Sequence, residues 1–360
     1  MFSFKPDYAQ THTRMEAFWN HDVLDRPLTM FHLSRPIEEQ VPLPVSRFSS
    51  PAERWLDIDY QAQHALARLS NIDFSIGDAL PITYPNLGPE IFSAFYGCPL
   101  YFGDYGTSWT DPILEDWARV DEMTLDLDHP YLRSLEEMTD ALLDIGRDKF
   151  IVGMTDWHPG GDALAAFRDP QRLAIDLIEY PAEVKKLLAR VEADYFQLYN
   201  RFYEKLHAAG QPCTSWLPLT ADGKYYIPSN DFSIMISTRM YEEFFLPGIT
   251  RECQHLDHSI YHLDGPGALR HLDLILAIPE LDALQWVFGA GNEGYDRWVW
   301  VYQKAQAAGK SIHVICSLDE VERVMQTLSP RGLFLDVSGV PNYEAGEELL
   351  RRLERWTKEN

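Results

Sequence analysis

The chain has 360 residues, 46% hydrophobic and 24% charged, an ordinary globular balance with enough length to bury a large core. Its 31 basic and 55 acidic residues give a formal charge of -24, with no long Lys/Arg run, which argues against nucleic-acid or membrane-surface partners and reads first as solubility. Cys98, Cys213, Cys253 and Cys316 form no CxxC pair and suit reduced thiols; with no secretory leader pattern at the start and no stretch of membrane-spanning length, a cytoplasmic location is expected.

In chain order, Asp7–Asn20 reads as a helix and Pro27–Leu33 as a first strand. Pro51–Ser70 reads as one helix with Pro51 just inside its start. Asp73–Ile76 is a short strand candidate. Leu80–Thr110, rich in Gly, Pro and aromatics, reads as a long ordered loop with a small helix, the kind of loop that is usually functional. From there strands and helices alternate. Strands are expected at Lys149–Thr155, Pro212–Leu217, Ser259–Leu263, Ala283–Phe288, Ser311–Cys316 and Leu333–Val337, with Ile234–Ile236 a short apolar piece. Helices are expected at Leu132–Ile145, Pro170–Ile178, Pro181–Leu206, Thr238–Leu256, Gly267–Leu276, Asp296–Ala308, Leu318–Leu328 and Tyr343–Lys358. Such alternation with short links implies parallel strands and crossover helices. A closed barrel and an open doubly wound sheet both fit, but no GxGxxG or GxxxxGK[ST] supports a nucleotide-binding open sheet. The expectation is a single domain over residues 1–360, a (β/α)8 TIM barrel with extra N-terminal helices.

In such a barrel the chemistry gathers at the C-terminal ends of the strands. Here the segments following the strands are polar: Asp156-Trp157-His158, Asp222 through Asp231, His262 with Asp264, Gln285-Trp286 followed by Glu293, and Asp336. Each has a plain structural reading. Asp156 and Asp162 suit helix caps, Asp222-Gly223 is an ordinary turn pair, and a lone strand histidine is more often a satisfied structural group. The coincidence of four or five such strand ends is what points to an active site. His262 and Asp264, two apart on a strand, share a face. They suit an acid/base pair or two ligands of a divalent metal such as zinc. Asp222 and Asp231 suit paired carboxylates like those of sugar-active enzymes. Trp157, Tyr225, Tyr226 and Trp286 suit pocket walls, with Asp156, His158, Gln285 and Glu293 as further polar contacts to a small-molecule substrate.

The opening Arg14–Pro27, with Asp25-Arg26-Pro27 leading into the first strand, resembles the start of uroporphyrinogen-decarboxylase-like proteins. Pro85–Gly97 resembles their Gly-rich loop, Tyr261-His-Leu-Asp-Gly265 their H-x-C-G strand-end motif, and Phe334–Gly339 their last barrel strand. The resemblance covers nearly the whole chain, and no one motif is diagnostic. The Arg-rich MRQAGR signature of the true decarboxylases is absent. Relative to the zinc methyltransferases of that superfamily, His262 matches the first ligand, Asp264 stands where a cysteine is expected, and no cysteine lies near Val337-Ser338. The resemblance implies methyl transfer linked to a corrinoid carried by a partner protein, at an altered His/Asp site, and allows a homodimer. Two rivals stand beside it: a metal-independent acid/base lyase, decarboxylase or hydrolase acting on a sugar-like or carboxylate substrate, and a non-catalytic partner of a corrinoid protein.

Overall fold

A computed structural model describes residues 2–104 and 106–360. Eight parallel strands build a barrel: β1 (Leu28–Met30), β2 (Ile82–Thr83), β3 (Ile151–Val152), β4 (Tyr225–Tyr226), β5 (His258–Asp264), β6 (Ala283–Val287), β7 (Ser311–Ser317) and β8 (Leu333–Ser338). Six of them form one sheet in the order β1-β8-β7-β6-β5-β4, and β2 pairs with β3. The two remaining seams are irregular. Between β1 and β2, Asp78 donates its N–H to the Thr29 carbonyl (2.8 Å) and accepts the Thr29 N–H on its carboxylate (2.8 Å). Between β3 and the segment before β4, Met154 N–H donates to the Thr214 carbonyl at 2.8 Å. A Cβ on Gly153 would stand 2.9 Å from the Thr214 carbonyl oxygen, so this close crossing needs glycine.

The longest strands, β5 and β7, have seven residues each. Residues that are partners in the register share a face, so His262, Gln285, His313, Phe334 and Leu28 form one interior layer. The opposite face packs on the helices, as where Trp286 meets Trp298 at 5.0 Å between ring centres. At the other end of the barrel, Asp78 is wholly buried and pairs with Arg14 (3.0 Å) and Arg26. Arg14 also binds Asp25 at 2.7 Å. This network ties the helix Tyr8–Trp19 to β1 and β2, and it accounts structurally for Asp25-Arg26.

Three expectations are corrected. The helix expected over Pro51–Ser70 breaks at Asp57, whose extended backbone ends the helix Pro51–Leu56 and whose carboxylate caps Tyr60 N–H of the helix Ile58–Ser70. The loop Leu80–Thr110 contains β2, a helix at Ile91–Ala94 and an antiparallel hairpin of Leu100–Phe102 with Ser108–Thr110. Pro212–Leu217 is not the fourth strand: Cys213 bridges Ala221 in antiparallel fashion, the chain doubles back, and Tyr225–Tyr226 takes that place. Among the described residues, no helix is long and apolar enough to cross a membrane.

Candidate active site

His262 sits near the C-terminal end of β5, with Asp264 one residue pair further along the same face. The loop after β4 brings Asp231 to them. One ligand atom from each of Asp231, His262 and Asp264 lies within 4.8 Å of the others. His262 is oriented from within the barrel. Its Nδ1 donates to Gln285 Oε1 (2.6 Å), and Gln285 Nε2 donates to His313 Nδ1 (3.0 Å). An amide so engaged leaves the His262 Nε2 lone pair free and gives His313 an Nε2–H, which faces Asp336 at 3.9 Å. Burial, with the nearby His262 as a lesser cause, pushes His313 down to about 3, so it stays neutral. The Trp216 ring stands edge-on to His262 at 5.3 Å.

Asp231 also belongs to a second cluster. The helix Gly160–Arg168 begins beside it and presents Asp162, whose carboxylate accepts the N–H groups of Phe232 (2.8 Å) and Asp231 (3.1 Å). Those two bonds fix the Asp231 backbone. A Cβ on Gly161 would come within 2.7 Å of Asn230 Oδ1, so glycine there lets the helix start press against the loop. Burial and then the Asp231 charge hold Asp162 above the ordinary carboxylate range. Burial does the same for Glu90. His158 pairs with Asp156 at 3.3 Å. Burial favours its neutral ring, but Asp156, Asp162 and Asp231 outweigh that and push it up to about 10. Glu90, His158, Asp162 and Asp231 line a cavity of about 510 Å³, rimmed by Trp109 and Met235. Glu90 Oε2 and Asp231 Oδ1 are buried there without a hydrogen-bond partner among the described residues. A mouth with unanswered polar atoms is built to receive a polar ligand.

The expected site residues divide cleanly. His262, Asp264, Asp231, Asp156 and His158 converge at the mouth, with Gln285 buried beneath His262. Asp222 does not: it precedes β4, is exposed, and faces His12 (3.4 Å) at the opposite end of the barrel. Tyr225 is core, packed against Trp19 with its hydroxyl on the Leu217 carbonyl. Tyr226 is buried, accepting Trp157 N–H and donating to the Thr155 carbonyl at 3.0 Å. Trp157 packs among Phe92, Phe95 and Phe202, and Trp286 faces the helices, so neither is a wall. Glu293 is exposed and caps its own turn through Gly291 N–H. Glu90, Asn230, Asp162, His313 and Trp216 were not singled out as site residues. Parity offered one signal, since His313 shares the interior layer with Gln285 and His262.

The donor set decides which metal chemistry fits. One imidazole with a free Nε2 and two carboxylates suit a divalent cation such as zinc, manganese or cobalt. Asp231 raises the Asp264 pKa, second to burial, a repulsion that a cation would relieve. A thiolate-rich zinc site does not fit. All four cysteines are buried, and burial pushes Cys98, Cys253 and Cys316 up to about 12.

No family model matches the sequence, and no curated protein matches it. Among solved structures, a methyltransferase from Methanosarcina mazei is similar over 97% of this chain and 98% of that chain, with a TM-score of 0.59. The likeness establishes the fold. Only 10% of residues are identical, so the chemistry has to be argued from this chain's own side chains.

Proposed function

We propose that the chain is a methyl-transfer enzyme of the uroporphyrinogen-decarboxylase-like kind, centred on a divalent-cation site at Asp231, His262 and Asp264. The convergence of those three side chains within 4.8 Å carries the reading. Bound there, a cation would supply Lewis acidity that lowers the pKa of the group accepting the methyl. The likeness to a methyltransferase supports the reaction class. The Tyr261–Gly265 resemblance makes a corrinoid-borne methyl group, presented by a partner protein, the donor to test first.

The chain's own residues then have distinct tasks. Gln285 holds the His262 ring so that Nε2 faces the mouth. Asp162 fixes the Asp231 loop through two backbone N–H groups. His158, cationic beside Asp156, keeps positive charge at the cavity wall. Glu90, with its raised pKa, is suited to hold a proton and pass it to a leaving or accepting atom.

The test is metal analysis of the untagged protein after loading with zinc, manganese or cobalt, followed by transfer of the methyl group of methylcobalamin to an added thiol, read from the visible spectrum of the demethylated cobalamin. A stoichiometric cation in the wild type, lost in His262→Ala and in Asp264→Asn together with the demethylation, is the expected result. Retention of the cation by both variants would sink the reading.

One observation favours a second reading. Glu90 and Asp162 are held above the ordinary carboxylate range beside a charged His158, an arrangement that also suits metal-independent acid/base work on a carboxylate or sugar-like substrate. That reading expects turnover which survives chelation and falls in Glu90→Gln.

A further inference from the structure

We propose that a second cavity, beneath the helix Ile58–Ser70 and outside the cation site, binds the carboxylate or phosphate of a small molecule through Arg54 and Arg68. Two adjoining spaces of about 210 Å³ and about 240 Å³ share Gln61, His64 and Asn86 as walls. Arg68 lines the first and Arg54 the second. Among the described residues, neither space has an Asp or Glu in its wall, although acids outnumber bases 55 to 31 in the chain. Neither arginine has an ion-pair partner among the described residues. Arg54 donates only to the Asp104 carbonyl at 3.0 Å. Arg68 makes no side-chain hydrogen bond among the described residues, and its near polar neighbour in the wall is the neutral Tyr84 hydroxyl. Arginines elsewhere in this chain mostly sit on carboxylates, as Arg168 does on Asp176 at 2.6 Å.

The rest of the wall is rich in donors. Asn86 Oδ1 accepts Gly88 N–H at 2.8 Å, while its amide N–H groups have no partner among the described residues. Thr83 and Tyr84 add hydroxyls. His64 is pushed below its ordinary value by burial, then by Arg68 and Arg54, so it stays a neutral donor between two cations. A pair of guanidinium forks above hydroxyl and amide donors matches an oxyanion.

The cavity communicates with the site already described. Burial pushes Tyr84 up to about 12, with Asp156 adding to the rise and Arg68 opposing it. Tyr84 lines the same wall as Arg68 and feels the Asp156 charge of the other site. The loop from Thr83 to Glu90 supplies Tyr84 and Asn86 to one space and Glu90 to the other. A molecule whose anionic end rests on the arginines would lie alongside the catalytic mouth. The proposal needs neither the cation nor a methyl donor, so it stands or falls apart from the proposed reaction.

The experiment is titration calorimetry on the full, metal-free chain with inorganic phosphate and, separately, with succinate. Saturable binding of at least one anion is expected, and the stronger of the two identifies the class. Arg68→Gln and Arg54→Gln should each weaken it by roughly tenfold or more, the scale of a lost charge-assisted hydrogen bond. Arg68→Lys should retain part of the affinity, and the exposed Lys358→Gln, with the same loss of charge, should change nothing. Circular dichroism confirms that each variant is folded. Failure of both anions to bind overturns the proposal. So does binding left intact by both arginine variants, or weakened equally by Lys358→Gln.

Discussion

Gln285 does what neither of its imidazole neighbours can do alone. Its carbonyl accepts from His262 while its amide donates to His313, so one side chain sets two tautomers. A Gln285→Leu variant keeps the volume and removes both bonds. Loss of an orienting partner of this kind typically costs a metal site about 10–100-fold in affinity. That fall is the expected outcome, measured by competition with a chromophoric chelator. Gln285→Glu, which still accepts from His262, should lose much less. Equal affinity in the leucine variant and the wild type would show that the ring needs no support from within the barrel. The sequence made part of this legible, because His262, Asp264 and Gln285 are strand-end polar residues with the right parity. It misled for Trp286, which neighbours Gln285 and so necessarily points the other way. Asp162 looked like a helix cap, but it lies inside the first turn of the helix Gly160–Arg168, whose N-cap position is Pro159; its carboxylate serves the Asp231 loop instead.

At the scale of elements, the β1–β2 seam hangs on one residue. Asp78 accepts Thr29 N–H and binds Arg14 and Arg26, with all three side chains buried. Asp78→Ala would leave Arg26 buried without its partner and remove the side-chain half of the strand link, keeping only the Asp78 N–H on the Thr29 carbonyl. Breaking a buried pair from one side costs about 3–5 kcal/mol, and a loss of that size in urea denaturation is expected. A cost below about 1 kcal/mol, the range of surface pairs, would mean that Arg26 and Thr29 find other partners. The strands that sequence reading located well are the ones that need no such prop. β5 to β8 run five to seven residues with clear apolar content. β2 and β4 have two residues each, too few for alternation to show, whereas the equally short β3 lies inside the strand expected at Lys149–Thr155. The error at β4 carried Asp222 with it, since a residue expected after a strand turned out to precede one.

For the molecule as a whole, the polar interior layer makes stability depend on pH in two opposed ways. His313 is held neutral, with its pKa lowered from 6.5 to about 3. Between those values the unfolded chain binds a proton that the native chain refuses, so stability falls as pH falls through that window, by about 1.4 kcal/mol per pH unit for one such group. Glu90, Asp264 and Asp336 act in the other direction. Their raised pKa values mean that the native chain takes up protons before the unfolded one does, so acidification relieves a cost they impose at neutral pH. The net curve alone cannot separate these contributions, but a difference between two proteins can. His313→Gln preserves an acceptor for Gln285 and carries no titrating group. Relative to the wild type, it should gain stability steadily as pH is lowered from about 6.5 toward about 4, with the two curves parallel above about 7. Denaturation midpoints across that range provide the measurement. Parallel curves throughout would mean that His313 takes up its proton as readily in the folded barrel as in the unfolded chain. The tautomer chain from Asp336 to His262 would then have to run the other way.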